Sequence, residues 1–227
     1  MLSARGTPAP PRPFGLVGSG RTEIVRSLFG AERYDSGSVK VNGHPVHIRK
    51  PRQGIESGIA LLPEDRKEQG LCLKMSVSDN VSMASTENVS KAGILNHRKA
   101  WEIAEKFVKA LNIKTPSVKQ ICGNLSGGNQ QKVVVSKWLA KECDIFILDE
   151  PTVGVDVGAK VDIYHIFEQL LEQGKAIIVI SSYLPEVMGL SDNILVMYEG
   201  RQMGIVERDQ FDEELILSMA SGISGVK

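Results

Sequence analysis

Leu125-Ser126-Gly127-Gly128-Asn129-Gln130-Gln131, followed by Asp144 to Thr152 (DIFILDEPT) and then Gly154-Val155-Asp156, is the stretch whose reading decides the fold. Residues 144–149 form an apolar run ending in an acid, the pattern of a buried strand that carries a carboxylate to the edge of a sheet. Open α/β folds bind ligands outside the carboxyl ends of their strands, and Asp149 and Glu150 are expected there. Ser126 and two glycines open a helix expected from about Asn129 to Ala140. A hydroxyl and free N–H groups at the positive end of a helix dipole form an anion site, and simple N-capping by Ser126 uses the same geometry. An Asp-Glu pair alone would read as acids at a helix N-terminus. The adjoining Pro151-Thr152 and Gly154-Val155-Asp156 reverse that reading.

Upstream, the apolar strand Phe14–Val17 runs into a glycine turn and then a helix in which Ile24, Val25, Leu28 and Phe29 have helical spacing. Gly15-Leu16-Val17-Gly18-Ser19-Gly20-Arg21-Thr22 matches the frame of a phosphate-binding P-loop, whose glycines let backbone N–H groups turn inward around phosphate oxygens. The frame departs at Arg21, where the pattern requires Lys; the charge is kept, but as a larger planar fork. Thr22 is placed to bring its hydroxyl to a Mg²⁺ ion bridging the terminal phosphates, and Asp149 to hold that ion directly or through water. Glu150 is then the catalytic carboxylate that orients or deprotonates the attacking water.

Elsewhere, residues 37–49 read as an antiparallel hairpin about Asn42-Gly43, and Ile59–Leu62 as a buried strand before Pro63. From residue 76 the pattern becomes helical, in Val77–Ala84 and in Arg98–Leu111, where Ile103, Phe107 and Leu111 share a stripe. Beyond Thr152 the spacing predicts a helix over 159–171, a strand over 176–181, a helix over 185–190, a hairpin over 193–206 turning at Glu199-Gly200, and a closing helix over 211–220. Strands alternating with helices predict an α/β fold with a parallel sheet.

Composition bounds the function. At 42% hydrophobic residues the chain is globular, and 27 basic against 27 acidic side chains leave no positive excess to draw nucleic acid. Cys72, Cys122 and Cys143 have neither CxxC nor metal-ligand spacing, which suits unpaired thiols in a reducing compartment. The longest apolar runs, such as Ala176–Ile180, fall short of the roughly 20 residues that cross a bilayer. His44, His47, His97 and His165 are scattered, Trp101 and Trp138 sit on helical faces as packing residues, and Lys91, Arg98 and Lys99 read as a solvated helix start.

Taken together, GLVGSGRTE, LLPEDRKEQGL, LSGGNQQKV, ILDEPTVGVDVGAK and SSYLPEVMGLSDNILVMYEGR closely resemble the second nucleotide-binding half of the ribose, xylose and galactoside type of bacterial sugar-import ABC ATPases, over about residues 14–222. The resemblance implies a P-loop NTPase with a mostly parallel central sheet, a helical insertion subdomain (about 76–125) and a partial antiparallel β subdomain. By their own composition residues 1–13 read as an unstructured Pro-rich head before the domain, and residues 223–227 as a tail after it. The implied cofactors are ATP and Mg²⁺. The implied nucleotide contacts are Gly15, Gly18, Ser19, Gly20, Arg21 and Thr22 in the P-loop, Ser126, Gly127, Gly128 and Gln130 in the signature loop, Asp156, and Tyr183.

The implied metal ligands are Thr22, Asp149 and Glu64. Glu64 stands where the ABC pattern usually has glutamine, and Tyr183 where it usually has a histidine on the γ-phosphate. With Arg21 these departures look like habitual features of the second half. ABC halves pair head to tail, so the signature loop is expected to serve ATP on the first nucleotide-binding half, while the chain's own site binds nucleotide and hydrolyses it slowly. The resemblance further implies a membrane permease, indirectly a periplasmic or extracellular sugar-binding protein, no nucleic acid, and a peripheral place on the cytoplasmic face of the membrane. It also implies a first half, several strands and an adenine-stacking aromatic upstream, so the chain reads as a fragment or a product with an altered start. Rival readings are a non-hydrolysing module that donates its signature loop, and a soluble ABC protein of DNA repair or translation; neutral charge, PEDR and GNQQ count against the last.

Overall fold

The computed structural model describes residues 12–15, as backbone, and 19–223. In chain order the elements are β1 (Arg12–Gly15), α1 (Arg21–Phe29), β2 (Val39–Val41), β3 (His44–Val46), α2 (Pro51–Glu56) and β4 (Ile59–Leu62). Next come α3 (Val77–Ser82), α4 (Thr86–Val89), β5 (Ser90–Lys91), β6 (Ile94–Leu95), α5 (His97–Ala110) and α6 (Gly127–Ala140). The chain closes with β7 (Ile145–Asp149), α7 (Val157–Glu172), β8 (Ala176–Ile180), α8 (Leu184–Leu190), β9 (Asn193–Tyr198), β10 (Arg201–Glu207) and α9 (Glu213–Ala220). Two compact units share this path, one of residues 1–61, 144–151 and 170–227, the other of residues 62–143 and 152–169.

The first unit is built on strands. β7 and β8 pair in parallel with Asp149 opposite Ile180, in the order β4-β7-β8, and every residue of β7 is buried. A strand covered on both faces reads as a continuous apolar run, which is why IFIL is legible as one. β1 pairs in parallel with β9, and β9 antiparallel with β10, over a core of Leu184, Val187, Ile194, Val196, Val206, Ile216, Met219 and Ala220. Both predicted hairpins form. Asn42 and Gly43 turn β2 into β3, and Glu199 and Gly200 turn β9 into β10, all four with φ between +45° and +79°, the left-handed pair that a two-residue hairpin needs.

The predicted strand Phe14–Val17 and the Pro-rich head need correction. The strand begins at Arg12, so the last two residues of the head, Arg12 and Pro13, pair with Ile194 and Leu195. β1 stands at the end of its sheet's order, where proline's missing N–H is tolerated. Residues 1–11, 16–18 and 224–227, and with them the P-loop residue Gly18 and all of the expected tail but Ile223, lie outside the described residues.

The second unit is mainly helical and contains α3 to α6 and most of α7. Ser76 caps α3 reciprocally with Asp79, and α3 buries Val77 and Val81 while α5 buries Ala100 and Ala104. α6 is enclosed on most of its surface, with Val133, Val134 and Val135 fully buried and two lysines drawn in beside them. Lys137 donates to the Gly70 carbonyl at 2.7 Å, and burial pushes its ammonium down to about 8. Lys132 donates to the Asp162 carboxylate at 2.8 Å and to the Asn112 carbonyl at 3.2 Å, holding the Asp162 carboxyl below its ordinary value. No helix among the described residues is long and apolar enough to cross a membrane.

Candidate functional site

In the first unit the chemistry gathers at the carboxyl ends of β7 and β8 and the start of α1. Gly20 enters α1 with φ of +90°, and a Cβ there would stand 3.0 Å from the Gly200 Cα. The Gly200 N–H also donates to the Ser19 carbonyl at 3.0 Å, so the β9–β10 turn seats against the glycine turn. Among the described residues no side chain caps α1, and none partners the buried Ser19 hydroxyl. Unpaired N–H groups on a positive helix end, beside an orphaned hydroxyl, fit a phosphate.

Thr22 stands one residue into α1, with its Oγ1 3.5 Å from Oδ1 of Asp149. Asp149 itself is buried at the end of β7. A hydroxyl and a carboxylate side by side are the hard oxygen donors that Mg²⁺ takes, and this pair fits the ion.

Glu150 follows with φ of +46°, a left-handed conformation rare for a side-chain-bearing residue and common at functional sites. Its N–H donates to the Ile180 carbonyl at 2.8 Å and its Oε1 accepts from the Ser182 N–H at 2.7 Å. Burial raises the Glu150 carboxyl above its ordinary value, against the Ser182 hydrogen bonds and the Arg21 charge, which pull it down. Arg21 is buried, donates to the Ser181 carbonyl at 2.6 Å, and lies 3.8 Å from Glu150. The fork expected on phosphate is here aimed at the neighbouring strand end and the acid. Tyr183 follows as the N-cap residue of α8, 58% exposed, with its N–H donating to the Ser181 hydroxyl.

Ser126, Gly127, Gly128, Gln130, Asp156 and Glu64 all belong to the second unit. Ser126 occupies the cap position of α6, but its Oγ accepts from the Asn129 amide at 2.8 Å and from no backbone N–H. Simple capping is therefore not its role, and the opening of α6 keeps its N–H groups uncapped. The two glycines are sterically required. A Cβ on Gly127 would lie 2.6 Å from the Arg66 guanidinium and 2.9 Å from the Gly154 carbonyl; one on Gly128 would lie 2.5 Å from the Ala159 Cβ. α6 starts at Gly127, two residues before the predicted Asn129.

Gln130 is buried and donates to the carbonyls of Cys122 and Leu125, so it braces the loop from inside. Asp156 caps α7 by accepting from the Ala159 N–H at 3.0 Å. A cavity of about 340 Å³ lies beside these residues, lined by Ser126, Asn129, Lys132, Asp156 and Asp162 among others. Glu64 is exposed in the loop after β4.

Sequence reasoning missed three parts of these sites: the seating of the Glu199-Gly200 turn on the P-loop, the Ser182 amide that holds Glu150, and Arg66. The first two join segments far apart in sequence and leave no local pattern. Arg66 was visible only as part of the PEDR string.

The family model for ABC transporters matches residues 14–153, and the chain belongs to this family. It is 50% identical over 208 residues to a ribose import ATP-binding protein of Geobacillus kaustophilus, and the match covers 92% of this chain and 42% of that protein. A ribose import ATP-binding protein of Rubrobacter xylanophilus is 46% identical over 209 residues, with the same shares covered. The chain thus spans about two fifths of the length of the curated relatives it matches. Among solved structures, a dimeric ATP-binding cassette bound to ADP and Pi superposes with a TM-score of 0.72 at 16% identity, over 88% of this chain and 85% of that one. The fold is that of a P-loop ABC cassette.

Proposed function

We propose that residues 14–222 form the second ATP-binding half of a bacterial sugar importer. The observation that carries this reading is the meeting of Thr22 and Asp149 at the uncapped start of α1, with Glu150 next in sequence and held by Ser182. Ser19, Gly20 and the α1 N–H groups, together with Gly15 and Gly18, bind the nucleotide's phosphates. Thr22 and Asp149 hold Mg²⁺, which supplies charge neutralisation between the phosphates when bound. Glu150 takes or orients the water proton. A carboxyl raised by burial is a stronger base once ionised, and its Ser182 hydrogen bond fixes its direction.

Arg21, engaged with Ser181 and Glu150, favours slow hydrolysis at this site, because the acid is shared with a cation. Ser126, Gly127 and Gly128 face ATP bound on a partner half, with Gln130 supporting their loop from within and Asp156 fixing the start of α7. Tyr183, exposed beside the acid, supplies a neutral hydroxyl toward the nucleotide. The names of the relatives support ribose or a similar sugar as imported cargo; a membrane permease as partner and a peripheral place on the cytoplasmic face complete the reading.

The test uses equilibrium Mg-ATP binding and phosphate release by the chain, alone and mixed with the segment of the Geobacillus relative outside the match. The reading expects ATP binding by the chain alone and ATP-driven association of the two pieces. It also expects a fall in turnover of ~10²-fold or more in Glu150→Gln, with binding retained. Absence of binding by the folded wild-type chain would overturn it.

A further inference from the structure

Arg66 stands outside the acid and phosphate groups, yet it touches both loops that the second unit offers to a partner. Asp65 just before it accepts from the N–H groups of Lys67 at 2.9 Å and Glu68 at 3.1 Å, closing the π-type turn Arg66–Gly70. From that turn the Arg66 side chain reaches the loop before α7. Its Nη1 donates to the Val153 carbonyl at 2.9 Å and its Nη2 to the Gly154 carbonyl at 3.1 Å.

Two consecutive carbonyls suit a planar fork with fixed donors, which a single ammonium does not reproduce. The same Nη2 is the atom that a Cβ on Gly127 would strike, and Gly154 turns with φ of +66°. One guanidinium therefore packs against the first residue of α6 while holding the backbone of the 153–156 loop. Among the described residues no carboxylate pairs with it, so its full positive charge stands at the opening of α6.

We propose that Arg66 is a positioning residue that locks the Ser126–Gly128 loop and the Gly154–Asp156 loop into one register for the partner's nucleotide. The inference rests on the proposed function and deepens it. Ser126 and Asp156 act at a shared anion only if their loops keep a fixed spacing. Two charge-assisted hydrogen bonds on one loop and a steric wall on the other provide that spacing.

The test compares wild type, Arg66→Lys and Arg66→Ala in two measurements. The first is backbone hydrogen exchange over residues 126–130 and 152–158. The second is ATP-driven association with the segment of the Geobacillus relative outside the match. Both variants should exchange faster in these two stretches, with exchange over residues 21–29 and Mg-ATP binding by the chain alone unchanged. Association should weaken about tenfold, the size of one charged hydrogen bond. Millimolar methylguanidinium should restore the association of Arg66→Ala, and methylammonium should not.

Wild-type exchange rates in both loops of Arg66→Lys, or association equal to wild type, would overturn the inference alone. Failure of the wild type itself to associate would overturn the proposed function and this inference with it. Should Arg66→Ala melt before it can be assayed, Arg66→Lys decides the question by exchange and association.

Discussion

Arg21 lies 3.8 Å from Glu150, and both side chains are largely withdrawn from water. An opposite charge at this range favours the ionised acid, while burial favours the protonated one, and burial wins. Replacing Arg21 by methionine removes one of the influences that hold the acid down, beside the Ser182 hydrogen bonds, so the Glu150 carboxyl should rise further. A base must be deprotonated to act. The acid limb of phosphate release should therefore move to higher pH in Arg21→Met, as a pH-rate profile under single-turnover conditions would show.

Thr22 and Asp149 make a metal-dependent prediction. Thr22→Val keeps the side-chain shape and removes the oxygen facing Asp149. Nucleotide affinity in the presence of Mg²⁺ should fall about tenfold, the size of one charge-assisted contact. Affinity in EDTA should be unchanged. An equal loss with and without the metal would mean that Thr22 serves the phosphates and not the ion.

Gly128 tests the packing of α6 on α7. With a Cβ placed 2.5 Å from that of Ala159, Gly128→Ala should destabilise the fold by about 1–3 kcal/mol through overpacking. Adding Ala159→Gly should recover part of the loss despite the lower helix propensity of glycine, about 1 kcal/mol. Urea midpoints for the two single variants and the double variant would show coupling of opposite sign to the separate effects.

Lys137 gives a stability that depends on alkaline pH. Its folded value of about 8 lies below the ordinary 10.5, so between the two the unfolded chain binds a proton that the folded chain does not. The group's contribution is complete above the ordinary value and is lost as pH falls through about 8. Stability of wild type relative to Lys137→Met should rise across that window. A flat difference, read from denaturant titrations at several pH values, would place the lysine in a wetter setting.

Local pattern carried the elements, because β7, α5 and both hairpins announce themselves through apolar runs, a helical stripe and Asn-Gly or Glu-Gly turns. The acids and the glycine turn were legible for the same reason: each is a short string with its own chemistry. What sequence left open was how such strings meet. Ser126 read equally as a cap or an anion ligand until its hydroxyl was found bonded to Asn129. The Arg21 fork read as a phosphate contact, and only the fold brings Ser181 to it. Gly127 and Gly128 read as free N–H groups at a helix start, and only the fold brings Arg66 and Ala159 close enough to forbid a side chain at either. Asn129 lies only three residues from Ser126, but Ser181, Arg66 and Ala159 stand tens of positions or more from the residues they meet, beyond any local window.

The polypeptide crosses between its two units after residues 61, 143, 151 and 169. Neither unit is a continuous gene segment, so neither can be cloned alone or grafted elsewhere by a single splice. Moving either unit into another protein means carrying its separate pieces together.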